Sequence, residues 1–313
     1  MNAIADRAIT GVINGLLAVK PLATFAKHRA RTMMIERAES IGVFWRDEAA
    51  QLKMRGQAVP EGTVNSLWNE ERQQLTDAGL IYPDYYLTSF HAYDEGNLGW
   101  QPAMEVGVAA RAVHARLWPE GDKHGDERLR ASYHNVLTEV LPDAPQRIVD
   151  LGCSTGLSTF ALRSHFPQAH ITGIDLSPYF LAVAQHQTPE SGPPITWKHA
   201  AAEATGLPDG CADFVSICLV FHELPQQAAL AVLTEARRLL RPGGHLGFMD
   251  MNPQSQVYAQ MPPYILTLLK STEPYLDQYF ALDLPQAMVD AGFEKPVVTF
   301  NTARHRTLVA KAV

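Results

Sequence analysis

The sequence predicts an α/β fold: a doubly wound, mainly parallel sheet of seven strands with an antiparallel last strand, preceded by an N-terminal helical domain. Three observations predict it. Residues 1–145 read as helices joined by turns, residues 146–313 alternate short apolar runs with amphipathic helices, and two apolar runs near the end stand close enough to pair as a hairpin. Strands that alternate with helices are joined by right-handed crossovers, and such crossovers build parallel sheets.

In the first half, Met33–Ala49, Val64–Ala78, Pro102–Leu117 and Asp126–Leu141 carry apolar residues at three-to-four spacing. Pro21, Pro60, Pro83, Gly121 and Pro142 punctuate them. In the second half, Arg147–Leu151, Ile171–Asp175, Ile195–Trp197, Phe214–Cys218 and His245–Met249 read as strands. Helices are expected over Ser158–Ser164, Pro178–His186 and Gln226–Leu240, then after Pro253 and over Leu284–Ala291. Pro296–Phe300 and Thr307–Ala312 form the expected hairpin at the sheet edge.

Composition narrows the function classes. Of 313 residues, 46% are hydrophobic and 19% charged, the profile of a soluble globular chain. A net charge of −7 argues against a nucleic-acid partner, because phosphate binding draws on clustered Lys and Arg. Cys153, Cys211 and Cys218 show no metal-ligand spacing and are odd in number, so the expectation is no metal, no disulfide framework and a reducing, cytoplasmic compartment. No stretch reaches the length of a membrane span. The apolar run Ile9–Val19 is expected to be a helix packed on its own domain; a short signal core is the alternative. Residues 1–40 hold six Lys/Arg against three acidic groups. Peripheral docking on an anionic membrane is therefore one reading, and a helix over the pocket or a dimer contact is the other. Monomer and homodimer both stay open.

The chemistry-bearing segment is Asp150-Leu-Gly-Cys-Ser-Thr-Gly156, at the end of the first expected strand and the start of a helix. Gly152 and Gly156 permit a sharp turn and close approach of the backbone to a ligand. The helix start beyond them offers unpaired N–H groups. Nineteen residues after Gly156 the second strand ends in Asp175, where a carboxylate can accept both hydroxyls of a ribose. By itself this geometry fits any Rossmann-like nucleotide enzyme.

Asp150-Leu-Gly-Cys-Ser-Thr-Gly156, then Gly173-Ile-Asp-Leu-Ser-Pro178, then Leu239-Leu-Arg-Pro-Gly-Gly244 resembles, in order and spacing, the signature of class I S-adenosylmethionine (SAM)-dependent methyltransferases. The resemblance implies SAM as cofactor and S-adenosylhomocysteine as its product. It implies that Asp150 orients the glycine loop, that Gly152 and the loop around Ser154 hold the methionine end, and that Asp175 holds the ribose. Leu176 would pack on the adenine, and Ala202 and Glu203 would meet its edge. Cys218, on the same rim, would be a further cofactor contact. The chain departs from the pattern at Ser154, where a glycine is common, and at Ala201, where an Asp is common.

Cys218-Leu-Val-Phe-His-Glu-Leu224 resembles the segment after the fourth strand of small-molecule methyltransferases, and it lacks the Asn/Asp-Pro-Pro-Tyr/Phe element of enzymes that methylate nucleic-acid bases. His222 is the candidate general base, since imidazole titrates near neutrality; packing of the next helix is the alternative role. Asp250 faces the same rim, with turn formation before Asn252-Pro253 as its alternative. Phe90-His-Ala-Tyr-Asp-Glu-Gly-Asn-Leu-Gly-Trp100 reads either as a lid, with His91, Tyr93, Asp94 and Trp100 as candidate contacts, or as an ordered loop pinned by its rings. It also resembles a little-characterised branch of cyanobacterial and plant methyltransferase-like proteins. Arg304-His-Arg306 is a candidate contact for an acidic acceptor group, or a solvated turn. The expected activity is O- or C-methylation of a small, apolar or aromatic metabolite by in-line displacement. The alternatives are a non-catalytic binding or interaction module that keeps the fold, and a nicotinamide oxidoreductase.

Overall fold

The computed structural model describes residues 20–91, 93–118 and 121–313. The run Ile9–Val19 and the first part of the membrane-docking segment lie outside the described residues. Helices α1 (Lys20–Ser40), α2 (Trp45–Met54), α3 (Ser66–Leu75), α4 (Trp100–His114) and α5 (Gly125–Val140) occupy the first half. The single helix expected over Met33–Ala49 is two helices. Gly42 takes a left-handed φ of +85°, and the Val43 amide bonds back to the Ala38 carbonyl at 2.9 Å, which closes α1 before Trp45 opens α2. Trp45 and Trp68 are fully buried and anchor α2 and α3. Truncating either to Ala would cost about 3–5 kcal/mol.

The second half is the expected sheet. Strands β1 (Arg147–Leu151), β2 (His170–Asp175), β3 (Ile195–His199), β4 (Ala212–Cys218), β5 (Leu240–Met251), β6 (Val297–Phe300) and β7 (His305–Lys311) lie in the order β3-β2-β1-β4-β5-β7-β6. All neighbouring pairs among β1–β5 are parallel, and β7 runs antiparallel to both β5 and β6. The switch point lies between β1 and β4, where strand order reverses. Open α/β sheets leave a crevice at such a point, outside the carboxyl ends of the strands.

Helices α6 (Leu157–His165), α7 (Pro178–Gln187), α8 (Gln226–Leu239) and α12 (Leu284–Asp290) flank the sheet, and the short helices α9 (Gln256–Ala259), α10 (Pro263–Thr272) and α11 (Leu276–Ala281) follow β5. One face of the sheet packs Val215, Ile217, Leu246 and Leu308 against Val232, Leu233 and Ala236 of α8. The other packs Ile148, Phe214 and Val309 against Leu129, Tyr133, Val136 and Leu137, so α5 is part of the same core as the strands. The Leu239–Gly244 element begins β5 at the far end from the crevice. A Cβ on Gly244 would stand 3.0 Å from the carbonyls of Arg241 and Asp213, so this motif secures strand pairing.

Candidate active site

The carboxyl ends of β1, β2, β4 and β5 bring Gly152, Asp175, Cys218 and Asp250 to one rim. Gly152 turns at φ +71°, and a Cβ there would lie 2.7 Å from Val220 Cγ2. Ser154 also takes a left-handed φ, +51°, which explains why glycine suits this position. The Ser154 amide donates to Asp175 Oδ2 at 2.8 Å, tying the loop to the end of β2. The Ser177 amide donates to Asp175 Oδ1 at 2.8 Å, and the Tyr86 hydroxyl lies 3.5 Å from the same oxygen. Burial lifts the Asp175 carboxyl to about 6, although these donors favour its charged form.

Asp150 is fully buried and lies outside the cavity lining. Its Oδ2 accepts from the hydroxyls of Ser158 and Thr159, both at 2.7 Å. It therefore braces the first turn of α6, and so orients the loop from beneath. Gly156 likewise makes the turn, at φ +88°, without lining the cavity. Gly152, Ser154, Leu176, Ala202, Glu203 and Cys218 all line it. Two buried oxygens on this side, Ser154 Oγ and Glu203 Oε2, have no hydrogen-bond partner. Buried polar atoms normally do, so the residues fit a polar nucleoside-bearing ligand seated here.

One contribution was not legible in the sequence. A 3₁₀ turn, Asp84–Leu87, lays Tyr85 and Tyr86 over this side of the crevice. The Tyr85 hydroxyl donates to Glu203 Oε1 at 2.7 Å. Tyr82 meets His199 at 3.1 Å, and the Asp77 amide donates to His199 Nδ1 at 2.9 Å, which seats the segment on the end of β3. The only signal was three tyrosines around Pro83 in a stretch without helical periodicity.

On the other side of the rim, His222 Nδ1 lies 2.8 Å from Asp250 Oδ1, and Asp250 Oδ2 accepts from the Phe221 amide at 2.9 Å. Burial opposes the charged imidazole, but Asp250, with Glu273 and Glu223, outweighs it and lifts His222 to about 10. Burial would raise the Asp250 carboxyl; His222 and the surrounding amides hold it below the ordinary range instead. Asp250 does not line the cavity; it acts on His222 from behind. His91 Nε2 stands 3.0 Å from Glu273 Oε1 and 3.5 Å from Glu223 Oε1. Burial is again outweighed by Glu273 and Glu223, and His91 rises to about 9. Glu223 is pushed up to about 7, chiefly by burial. Glu223 and Glu273 were not singled out from sequence, because only folding brings residues 91, 222, 223 and 273 together.

The 90–100 segment divides. His91 and Tyr93 line the cavity, but the Tyr93 hydroxyl is taken by Glu105 Oε2 at 2.7 Å, and Arg31 pairs with the same Glu105. Asp94 is exposed, and Trp100 points away, bonding Asn69 Oδ1 at 3.1 Å and packing its ring on Tyr179. Neither stands at the cavity, which corrects their expected contact role. The Ser177 hydroxyl donates to the Asn97 carbonyl at 2.7 Å, which ties this part of the segment to the start of α7.

Both sides open into one cavity of about 1010 Å³. Its walls beyond the polar groups are apolar, with Val106, Ala109, Ala110 and Val113 of α4 facing Met261, Ile265 and Leu269. Arg304 lines it together with Arg37 and Arg116, whose mutual repulsion adds to burial in lowering Arg116. Arg306 is buried, outside the lining. No helix among the described residues is long and apolar enough to cross a membrane.

Residues 148–244 match the family model described as a methyltransferase domain. The chain is 34% identical over 113 residues to a demethylmenaquinone methyltransferase of Thermus thermophilus, covering 36% of this chain and 50% of that protein. It is 37% identical over 124 residues to a trans-aconitate 2-methyltransferase of Azoarcus sp., covering 40% and 46%. The chain thus spans about half the length of these curated relatives. Among solved structures, human N-acetylserotonin methyltransferase in complex with SAM superposes with a TM-score of 0.50 at 14% identity, over 79% of this chain and 66% of that one, a likeness of fold. With the ordered motifs, the 3-2-1-4-5-7-6 sheet and the match in hand, residues 148–244 are identified as a methyltransferase domain.

Proposed function

We propose that the protein transfers the methyl group of SAM to a small, apolar or aromatic metabolite, at oxygen or carbon. The observation that carries this reading is the single cavity that runs from the Gly152–Ser154 loop to the His91–His222–Glu223–Glu273 cluster. At about 1010 Å³ it stands at the top of the range for ligand pockets, which suits a cofactor and an acceptor together.

When bound, SAM supplies an electrophilic methyl group on a sulfonium. The chain's own part is to bind, align and exclude water. Asp175 accepts the ribose hydroxyls, Glu203 and Ala202 meet the adenine edge, Leu176 covers its face, and Asp150 keeps the loop in place. On the other side the helical first half supplies much of the acceptor wall through α4. His222 and His91 engage the acceptor's reacting group, and Asp250 is a positioning residue: it occupies His222 Nδ1 and leaves Nε2 for the cavity. Arg304 can meet an acidic substituent. An amphiphilic wall with one polar cluster supports a catalytic role over that of a binding module.

Calorimetry with SAM, S-adenosylhomocysteine and NAD, followed by transfer of a labelled methyl group to phenol, enol and amine acceptors, tests the reading. Binding of the first two ligands and labelling of a phenol or enol are expected. Absence of SAM and S-adenosylhomocysteine binding would sink it. His222→Ala should cut turnover while leaving SAM affinity intact, and unchanged turnover would remove His222 from the chemistry.

A further inference from the structure

The cluster on the acceptor side holds more polar groups than alignment of an apolar acceptor requires. Its donors are His91 Nε2, His222 Nε2, Glu223 Oε1 and Glu273 Oε1. They come from three distant parts of the chain: the loop before α4, the 3₁₀ turn Phe221–Glu223 after β4, and the end of α10.

We propose that His91, His222 and Glu273, with Glu223 beside them, bind one divalent first-row transition-metal ion, and that this ion is the means by which the cluster holds an oxygen of the acceptor. The second clause rests on the methyltransferase reading; the first does not. The separations fit. His91 Nε2 to Glu273 Oε1 is 3.0 Å, His91 Nε2 to Glu223 Oε1 is 3.5 Å, and His222 Nε2 to Glu223 Oε1 is 3.9 Å. A tetrahedral ion with bonds of about 2.0–2.1 Å spaces its ligand atoms about 3.3 Å apart. The ligand atoms of His91, His222 and Glu273 all lie within 4.8 Å of one another. Two imidazoles with a carboxylate suit zinc, iron or manganese better than calcium or magnesium, which prefer all-oxygen sites.

Three further features point the same way. Asp250 holds His222 Nδ1 at 2.8 Å, the carboxylate–histidine arrangement that orients a ligating imidazole and leaves its other nitrogen for the ion. Glu273 Oε2 is buried without a hydrogen-bond partner, so its carboxylate is half satisfied by protein alone. His91 sits at a left-handed φ of +47°, a cost its neighbours must sustain, and its amide bonds the carbonyl of Thr272, the residue before Glu273. That bond ties the two ligand-bearing segments together next to the ligands themselves.

The test is a titration of Zn²⁺ into the chelator-treated full chain without SAM, with Co²⁺ as a spectroscopic probe. One equivalent of Zn²⁺ is expected to bind, and Co²⁺ to show ligand-field bands that Zn²⁺ abolishes. His91→Ala and the conservative Glu273→Gln should each weaken Zn²⁺ binding at least tenfold. Calorimetry with S-adenosylhomocysteine on the same samples reports folding and cofactor binding separately. No Zn²⁺ binding by the parent chain, or binding that both variants leave unchanged, overturns the proposal. Metal binding without S-adenosylhomocysteine binding would overturn the methyltransferase reading instead and leave the site standing.

Discussion

The Tyr85 hydroxyl donates to Glu203 Oε1 across the crevice at 2.7 Å, so a residue of the helical first half and one from beyond β3 jointly close the side of the site proposed for the adenine. Burial and the Glu203 charge push the Tyr85 phenol far above its ordinary range, which keeps it a donor. Tyr85→Phe leaves neither carboxylate oxygen of Glu203 with a side-chain partner. SAM affinity is expected to fall about tenfold, equivalent to about 1.4 kcal/mol. Calorimetry reads this directly, and an unchanged Kd would place Tyr85 outside the cofactor site.

SAM binding is expected to depend on pH through Asp175. Burial lifts its carboxyl to about 6, and the ribose hydroxyls proposed to meet it would donate to its ionised form. Between pH 7 and pH 5 the ionised fraction drops about tenfold, so SAM affinity should fall by a similar factor as pH descends through 6. Asp175→Asn should bind weakly at both values, with a flattened profile. A steep profile in that variant would assign the titration elsewhere.

Gly152 tests the loop's close packing. Gly152→Ala combines a positive φ with a Cβ 2.7 Å from Val220 Cγ2, and should destabilise the fold by about 1–3 kcal/mol while weakening SAM binding. Adding Val220→Ala relieves the clash but not the backbone strain, so it should recover part of the loss. Thermal melts of the single and double variants measure both. Full recovery would show that the left-handed turn itself carries no cost.

Stability should fall on mild acidification through His134. This ring is 6% exposed, and burial, with His165 and Arg130 nearby, lowers it to about 3. The folded value lies below the ordinary 6.5, so below pH 6.5 the unfolded chain binds a proton that the folded chain refuses. The contribution is therefore complete above 6.5 and is lost progressively as pH falls toward 3. By pH 5 the loss is about 2 kcal/mol. Denaturant titrations at pH 7 and pH 5 should differ by that much more in the parent than in His134→Gln.

By itself the sequence determined the sheet and the loop-and-carboxylate end of the crevice, because both are local. A strand, a glycine turn and a helix start lie within residues 147–165, and Asp175 ends the next strand, so the spacing of one βαβ unit brings them together. Even the departure at Ser154 is locally intelligible: its left-handed φ is the conformation glycine would otherwise supply. The break at Gly42 was hidden because apolar spacing continues across it, and one glycine in a helical pattern does not announce a stop. Tertiary structure alone decided the rest. It seated Tyr85 and Tyr86 on the crevice, turned Trp100 and Asp94 away from it, and put Asp250 behind His222. It also gathered His91, His222, Glu223 and Glu273 from segments far apart in the chain. No periodicity records such a meeting, since side chains from separate loops converge only through the packing of the elements that carry them.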